Sequence, residues 1–328
     1  MHGIGKGRTP VDKKLFWLIV LFLLLFILFV VFLGAWRIAS RIIHPPKVND
    51  QTVINDLKTR LKLSPEEFKE LLGLPYEPVM LRSNYNYNIR GRLFDLGAKR
   101  SVILLHREGR NLMASYKFLR MYQSLGYNVL LCDARYHGQT GGPTYSYGFF
   151  ERWDLKVAAD FLFERYGAHH FLGFHGESAG AATSLMTLSQ DPRISFAIAD
   201  SSFSELTMVM QGLEERILKT RSQKALMLIN QIVKRRAGFS LADVSPLTEI
   251  QALEVPVLFI HSGGDELVAP KMSRLLASFK SGYNQIYIAP DSPHLLGYYE
   301  HTAEYEQCVR SFLSRIEELY ALQGRSYL

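Results

Sequence analysis

A serine hydroxyl attacks a carbonyl well only beside a base, and the base needs an acid to fix its tautomer. Residues 176–180 read Gly176-Glu177-Ser178-Ala179-Gly180, a G-x-S-x-G turn. The apolar segment Phe171-Leu172-Gly173-Phe174 precedes it, and the helical run Ala181 to Leu188 follows. In that setting the serine occupies a sharp strand-to-helix turn. Small neighbours make the turn possible, and the hydroxyl stands above the sheet at the positive end of a helix. The acid and base that serve such a serine follow it in the chain, in that order.

Asp265 lies in Gly263-Gly264-Asp265, after the apolar run Val257 to His261. His294 lies in Asp291-Ser292-Pro293-His294, after Gln285 to Ala289. Ser178, Asp265 and His294 are therefore the expected catalytic residues, for cleavage of an ester, amide or thioester through an acyl-enzyme. Asp200 also ends an apolar run and is the rival acid; His301 is a rival base, at the start of a helix. His106, His137, His175 and His261 fall at strand ends or turns and read as structural. No H-x-x-x-H or H-E-x-x-H spacing occurs, so no metal and no cofactor is expected.

The elements that must hold these residues are legible as alternating patterns. Short apolar runs near 78–82, 90–95, 101–106, 128–133, 170–175, 195–200, 256–261 and 285–289 read as eight strands. Unbroken stretches such as Val102-Ile103-Leu104-Leu105 suit strands buried on both faces. Helical patterns fall near 112–125, 151–166, 179–190 and 271–279. The alternation predicts a mostly parallel sheet with helices on both faces. Residues 204–245 are too long for a plain crossover and read as a small helical cap above the site. Ser64-Pro65-Glu66-Glu67 predicts a capped short helix to about Leu72. Cys132 reads as a buried strand residue, and neither it nor Cys308 shows metal-ligand spacing.

The run Leu15 to Trp36 carries no charge over its 22 residues. As a helix it spans about 33 Å, enough for a bilayer core of about 30 Å. It exceeds the apolar stretch of a cleaved signal peptide, and Arg37 and Arg41 follow it, so an uncleaved signal anchor is expected. Four Lys/Arg precede the run (Lys6, Arg8, Lys13, Lys14) and three follow (Arg37, Arg41, Lys47). That bias predicts a single-pass cell-membrane protein with its large domain outside the cytoplasm. The expected division is a basic tail over 1–14, the anchor over 15–36, a linker with short helices over 37–75, and the main domain over 76–328. A chain beginning near Val48 is expected to be soluble.

The net charge of +7 is concentrated at the N-terminus, where residues 1–50 hold seven Lys/Arg against Asp12 and Asp50. The remainder carries only +2, which argues against nucleic acid as a partner. The expected substrate is a small-molecule or lipid-like acyl compound. Residues 205–240 hold Arg216, Lys219, Arg221, Lys224, Lys234, Arg235 and Arg236 against three glutamates. A solvated face or contact with anionic lipid both account for that excess.

Five segments carry a resemblance: Leu105 to Asn111, Asp133-Ala134-Arg135-Tyr136-His137-Gly138, the serine turn, Pro256 to Pro270, and His294. Together they resemble the α/β-hydrolase superfamily over about residues 65–318. Within it, Gly176 to Thr183 and Ser245-Pro246-Leu247 are similar to membrane-anchored bacterial hydrolases of the YqkD type, near the serine aminopeptidase-like group. The resemblance implies the α/β-hydrolase fold and esterase-like hydrolysis. It also implies an oxyanion hole made by the backbone N–H groups of Glu108 and Ala179. The family's His-Gly-x turn reads His106-Arg107-Glu108-Gly109 here, its Arg-Gly-His-Gly reads Arg135-Tyr136-His137-Gly138, and Ser262 replaces a glycine. A carboxylate beside the oxyanion hole opposes a developing negative charge. That departure supports a competing reading, a catalytically silent surface binding protein on the same scaffold.

Overall fold

The structure is a computed structural model that describes residues 13–218 and 222–322. The basic tail up to position 12, and Lys219 and Arg221 of the cap, lie outside the described residues.

Eight strands form one sheet: β1 (Glu77–Arg82), β2 (Asn88–Phe94), β3 (Arg100–Leu105), β4 (Asn128–Cys132), β5 (Phe171–Glu177), β6 (Phe196–Asp200), β7 (Val257–Ser262) and β8 (Asn284–Ala289). Their spatial order is β1-β2-β4-β3-β5-β6-β7-β8. From β4 to β8 every pairing is parallel, whereas β1 and β2 form an antiparallel hairpin at one edge. The central strands β4, β5, β6 and β7 are buried at every position, as their unbroken apolar runs require. All eight predicted strands form within two residues of their expected starts, and the architecture is that of the α/β-hydrolase fold.

Helices cover both faces. The chain opens with α1 (Lys13–Ile43), α2 (Asp50–Arg60) and α3 (Pro65–Leu72). In α3 the capping box is complete: Glu67 N–H donates to Ser64 Oγ at 3.2 Å, and Ser64 N–H to Glu67 Oε2 at 2.8 Å. The expected helix over 112–125 is instead a 3-10 turn over Leu112–Phe118 followed by α4 (Leu119–Ser124). On the other face lie α5 (Glu151–Tyr166) and α6 (Ala179–Leu188). The segment between β6 and β7 forms α7 (Leu206–Leu218), α8 (Gln223–Ala237) and the short α9 (Pro246–Ile250). The chain continues through α10 (Lys271–Phe279), α11 (Gly297–Glu300) and α12 (Thr302–Leu322). The apolar stripe Tyr305, Val309, Phe312, Leu313 and Ile316 packs α12 against the sheet. Cys132 is buried in β4 and Cys308 half-buried in α12; both are free thiols.

The first helix outlasts its apolar run: it continues unbroken past Trp36 to Ile43, where Pro45 and Pro46 bar further turns. Its residues from Leu15 to Leu33 are exposed, and it is long and apolar enough to cross a membrane. Its last turns are different. Ala35, Ala39, Ile42 and Ile43 are buried against the cap, in one apolar cluster with Ile229, Ile232 and Val233 of α8. The Arg236 guanidinium stacks over Trp36 at 4.2 Å and donates to Ser40 Oγ. Tyr145 N–H donates to Ile43 O at 2.9 Å. Small alanines let the two helix backbones approach, so the expected linker from residue 37 begins as structural helix.

A chain truncated to begin at Val48 leaves this face of α8 open. It is expected to self-associate or bind detergent, whereas one beginning at Arg37 does so less; light scattering after size exclusion compares them, and equal monomer fractions would contradict the packing role of 37–43.

Candidate active site

Ser178 joins β5 to α6 with φ 52° and ψ −115°, a backbone conformation few side-chain-bearing residues adopt. The neighbouring glycines show why the turn closes. A Cβ on Gly176 would meet Gly180 O at 2.3 Å, and a Cβ on Gly180 would meet the carbonyl oxygens of Leu105 and His106 at 2.7 Å. Ser178 N–H donates to Asp200 O at 2.8 Å, and Ser178 O accepts from Ala182 N–H at 3.0 Å. The side chain is thus presented at the start of α6, buried to 3% exposure.

His294 and Asp265 meet it from two later loops. His294 Nε2 lies 3.2 Å from Ser178 Oγ, and His294 Nδ1 lies 2.5 Å from Asp265 Oδ2. With Nδ1–H donating to the carboxylate, Nε2 is left to accept the serine proton. The two loops are tied together: Gly263 N–H donates to Ala289 O at 2.6 Å and Gly264 N–H to Ser292 O at 2.9 Å. A Cβ on Gly264 would lie 2.7 Å from Asp291 O, so a glycine is required at this approach.

Asp265 is anchored further by Leu267 N–H at 2.9 Å and Val268 N–H at 2.8 Å, both to Oδ1. His261 Nε2 lies 3.3 Å from Oδ2. Burial works against the charge on Asp265, but hydrogen bonds from His261 and His294 outweigh it and hold the carboxyl down at about 2. His261 is itself held by Val268 O, 2.8 Å from Nε2, and by Ser273 Oγ, 2.6 Å from Nδ1, the structural role the sequence suggests, and from there its ring braces Asp265.

The rival acid points elsewhere. Asp200 accepts from Tyr305 Oη–H and from Ser201 Oγ–H, each at 2.9 Å. Burial, then the charge of Glu177, pushes its carboxyl up to about 6. Glu177 itself, the variable position next to Ser178, forms a buried ion pair with Lys117 at 2.5 Å. Sequence reasoning missed this pair. Its one signal was a charged residue at the end of a fully buried strand, which demands a partner. His301 accepts no role at the serine; its Nε2 donates to Pro290 O at 3.0 Å.

The loop after β3 is braced by two histidines. His106 Nε2 accepts from Ala134 N–H and His137 Nε2 from Gly109 N–H, both at 2.9 Å. Each imidazole then donates from Nδ1 to a backbone oxygen, Arg107 O at 2.7 Å and Arg135 O at 3.0 Å. Burial holds both neutral, His106 down at about 4 and His137 at about 3. Gly109, at φ +69°, supplies the left-handed step of the loop. Glu108 Oε2 is buried and has no hydrogen-bond partner. Among the described residues no group of three or more His, Cys, Asp or Glu is placed to hold a metal ion.

A strained serine on a β5–α6 turn, with imidazole and carboxylate in line, defines a serine hydrolase of the α/β-hydrolase fold. Residues 119–317 match the model of the prolyl oligopeptidase family, and the chain belongs to that family. It is similar to the uncharacterized protein YqkD of Bacillus subtilis (strain 168), at 31% identity over 242 residues, which cover 73% of this chain and 79% of that protein. In fold it is similar to the esterase Pf2001 of Pyrococcus furiosus, with a TM-score of 0.64 at 22% identity, covering 84% of this chain and 98% of that one. The α/β hydrolase GrgF from Penicillium sp. sh18 gives a TM-score of 0.59 at 16% identity, covering 74% of this chain and 99% of that one.

The depressed carboxyl sets a pH dependence. Because the folded pKa of Asp265 lies below the ordinary value of 3.8, its contribution to stability is complete above about pH 4 and disappears as pH falls towards 2. The contribution is on the order of 2 kcal/mol. Asp265→Asn is expected to flatten the fall of unfolding free energy across that interval, as followed by denaturant titration at several pH values; an unchanged slope would show that the carboxyl is not held down.

Proposed function

We propose that the chain is a membrane-anchored hydrolase of carboxylic esters, acting through an acyl-enzyme on Ser178. The observation that carries this reading is the hydrogen-bonded row from Asp265 through His294 to Ser178 Oγ. Ser178 Oγ attacks the substrate carbonyl as His294 Nε2 takes its proton. The N–H groups of Glu108 and Ala179 hold the oxyanion of the tetrahedral intermediate. His294 then returns the proton to the departing alcohol. Water, deprotonated by the same nitrogen, attacks the acyl-enzyme and frees the acid and Ser178. Asp265 keeps Nδ1–H aimed and balances the imidazolium charge throughout. Amides and thioesters follow the same route with a different leaving group. An ester as substrate is favoured by the likeness to a solved protein whose name is esterase.

Ser178→Ala is expected to abolish turnover of p-nitrophenyl acetate and covalent labelling by a fluorophosphonate, with its thermal unfolding preserved. Labelling that persisted in the variant would move the nucleophile elsewhere. Asp265→Asn is expected to lower kcat by about four orders of magnitude through the wrong imidazole tautomer. Asp200→Asn is expected to cost far less, and the reverse ranking would reassign the acid.

The anchor reading rests on the exposed apolar face of α1 from Leu15 to Leu33, ahead of a hydrolase domain over 76–328. Trp17 and Trp36 stand near the two ends, where amphipathic rings suit a membrane interface. Lys234, Arg235 and Arg236 at the end of α8 lie beside Trp36, so an interface at that ring would bring anionic headgroups to the basic end of the cap. The excess of positive charge before the span directs the hydrolase domain out of the cytoplasm. The full chain is expected to remain in the pellet after alkaline carbonate extraction and to be digested by protease added to intact spheroplasts; release by carbonate, or full protection, would refute anchoring or sidedness respectively.

A further inference from the structure

A cavity of about 560 Å3 lies between α1 and the cap, in the size range of small-molecule sites. One wall is α1, from Val31 through Gly34 to Ile42; the opposite wall includes Leu213 of α7 and Ala225 of α8, with Tyr147 from the hydrolase body. Over the 11 steps from Val31 to Ile42 α1 rises about 16 Å. The cavity therefore begins on the exposed apolar run of α1 and ends where the same helix is buried in the cap.

Its far end meets the hydrolase body at Tyr147. Tyr147 packs on Tyr145, ring centroids 4.9 Å apart. Tyr145 in turn lines a small space with His106, Gly180 and Thr183, beside the serine turn. Ala35, Ile42, Ile229 and Tyr147 of the cavity wall belong to the same apolar cluster as Ala179, the residue after Ser178. Arg41 is the only charged side chain among those lining the cavity. With α1 in a bilayer, an apolar space walled by that helix would take a hydrocarbon chain from lipid without its crossing water.

We infer that this cavity between α1 and the α7–α8 cap is the acyl-chain site of the enzyme, and that its substrates are long-chain acyl esters drawn directly from the membrane. The inference rests on the hydrolase reading above and names the substrate class for it. The anchor helix is then a wall of the substrate site as well as a tether.

Gly34 offers a direct test, because a Cβ there meets nothing within 4 Å. Gly34→Leu fills the cavity from the α1 side, and Ala225→Phe fills it independently from α8. The full chain in lipid nanodiscs is assayed with p-nitrophenyl acetate and p-nitrophenyl laurate. Wild type is expected to favour laurate, and each variant to lower the laurate-to-acetate ratio of kcat/KM about tenfold or more while acetate turnover is kept. A wild-type ratio retained by both variants, or no preference for laurate in wild type, would overturn the inference and leave the hydrolase reading standing. Absence of turnover on both esters by wild type would remove the hydrolase reading and the inference with it. A variant that fails to fold shows as lost acetate turnover, and the other variant then decides.

Discussion

The backbone crossing at the serine turn constrains more of this molecule than any other contact. Gly180 lies so close to the carbonyl oxygens of Leu105 and His106 that a single Cβ would force them apart. That approach joins the end of β5 to the end of β3, and so fixes where the loop after β3 stands relative to Ser178. Ser178 N–H reaches Asp200 O on the next strand, which pins the turn from the other side. A residue held at φ 52° costs on the order of 1–3 kcal/mol, and only neighbours this closely packed keep it there. The hydroxyl is presented by backbone geometry, before any partner side chain acts.

Electrostatics then separate the acids around that turn. Glu177 and Asp200 both lie on strand ends beside Ser178, yet neither is free to serve an imidazole. Glu177 is bound to Lys117 in a pair almost closed to solvent, and breaking such a pair costs about 3–5 kcal/mol. Asp200 accepts from Tyr305, whose hydroxyl also meets His175 Nε2 at 3.0 Å, while His175 Nδ1 accepts from Tyr122. This polar row runs through the core below the site. Asp265, by contrast, faces two imidazoles and two backbone N–H groups, all of which favour its ionised form. Environment, more than position at a strand end, distinguishes the three carboxylates.

The strands and the serine–acid–base order were legible in the sequence because buried parallel strands read as unbroken apolar runs and the turn demands its glycines. The residues brought together at Ser178 are those the chain order named. Other features needed three dimensions. Lys117 sits in a segment with no regular period, 60 residues from its partner Glu177. His261 comes within 3.3 Å of Asp265 only because the turn after β7 folds back over it. The packing of the last turns of α1 was hidden by charge: Arg37 and Arg41 interrupt the apolar run, while Ala35, Ala39 and Ile42 continue a helical stripe through it. The stripe along α12 was equally periodic and could have been found by the same count.

The continuity of α1 ties rotation to length. Each residue of an α-helix turns the chain by about 100° and advances it by about 1.5 Å. The face carrying Ala35, Ala39 and Ile42 must meet α8, so the helical phase of the upper third of α1 is fixed by the cap. A single residue added or lost between Gly34 and Ile43 would swing that face out of contact and carry the lower helix around with it. The same change nearer Lys13 would leave the packed face of the helix in place. The helix therefore divides into a segment whose register is part of the folded body and an exposed apolar segment whose phase the body does not fix, with the boundary falling near Gly34.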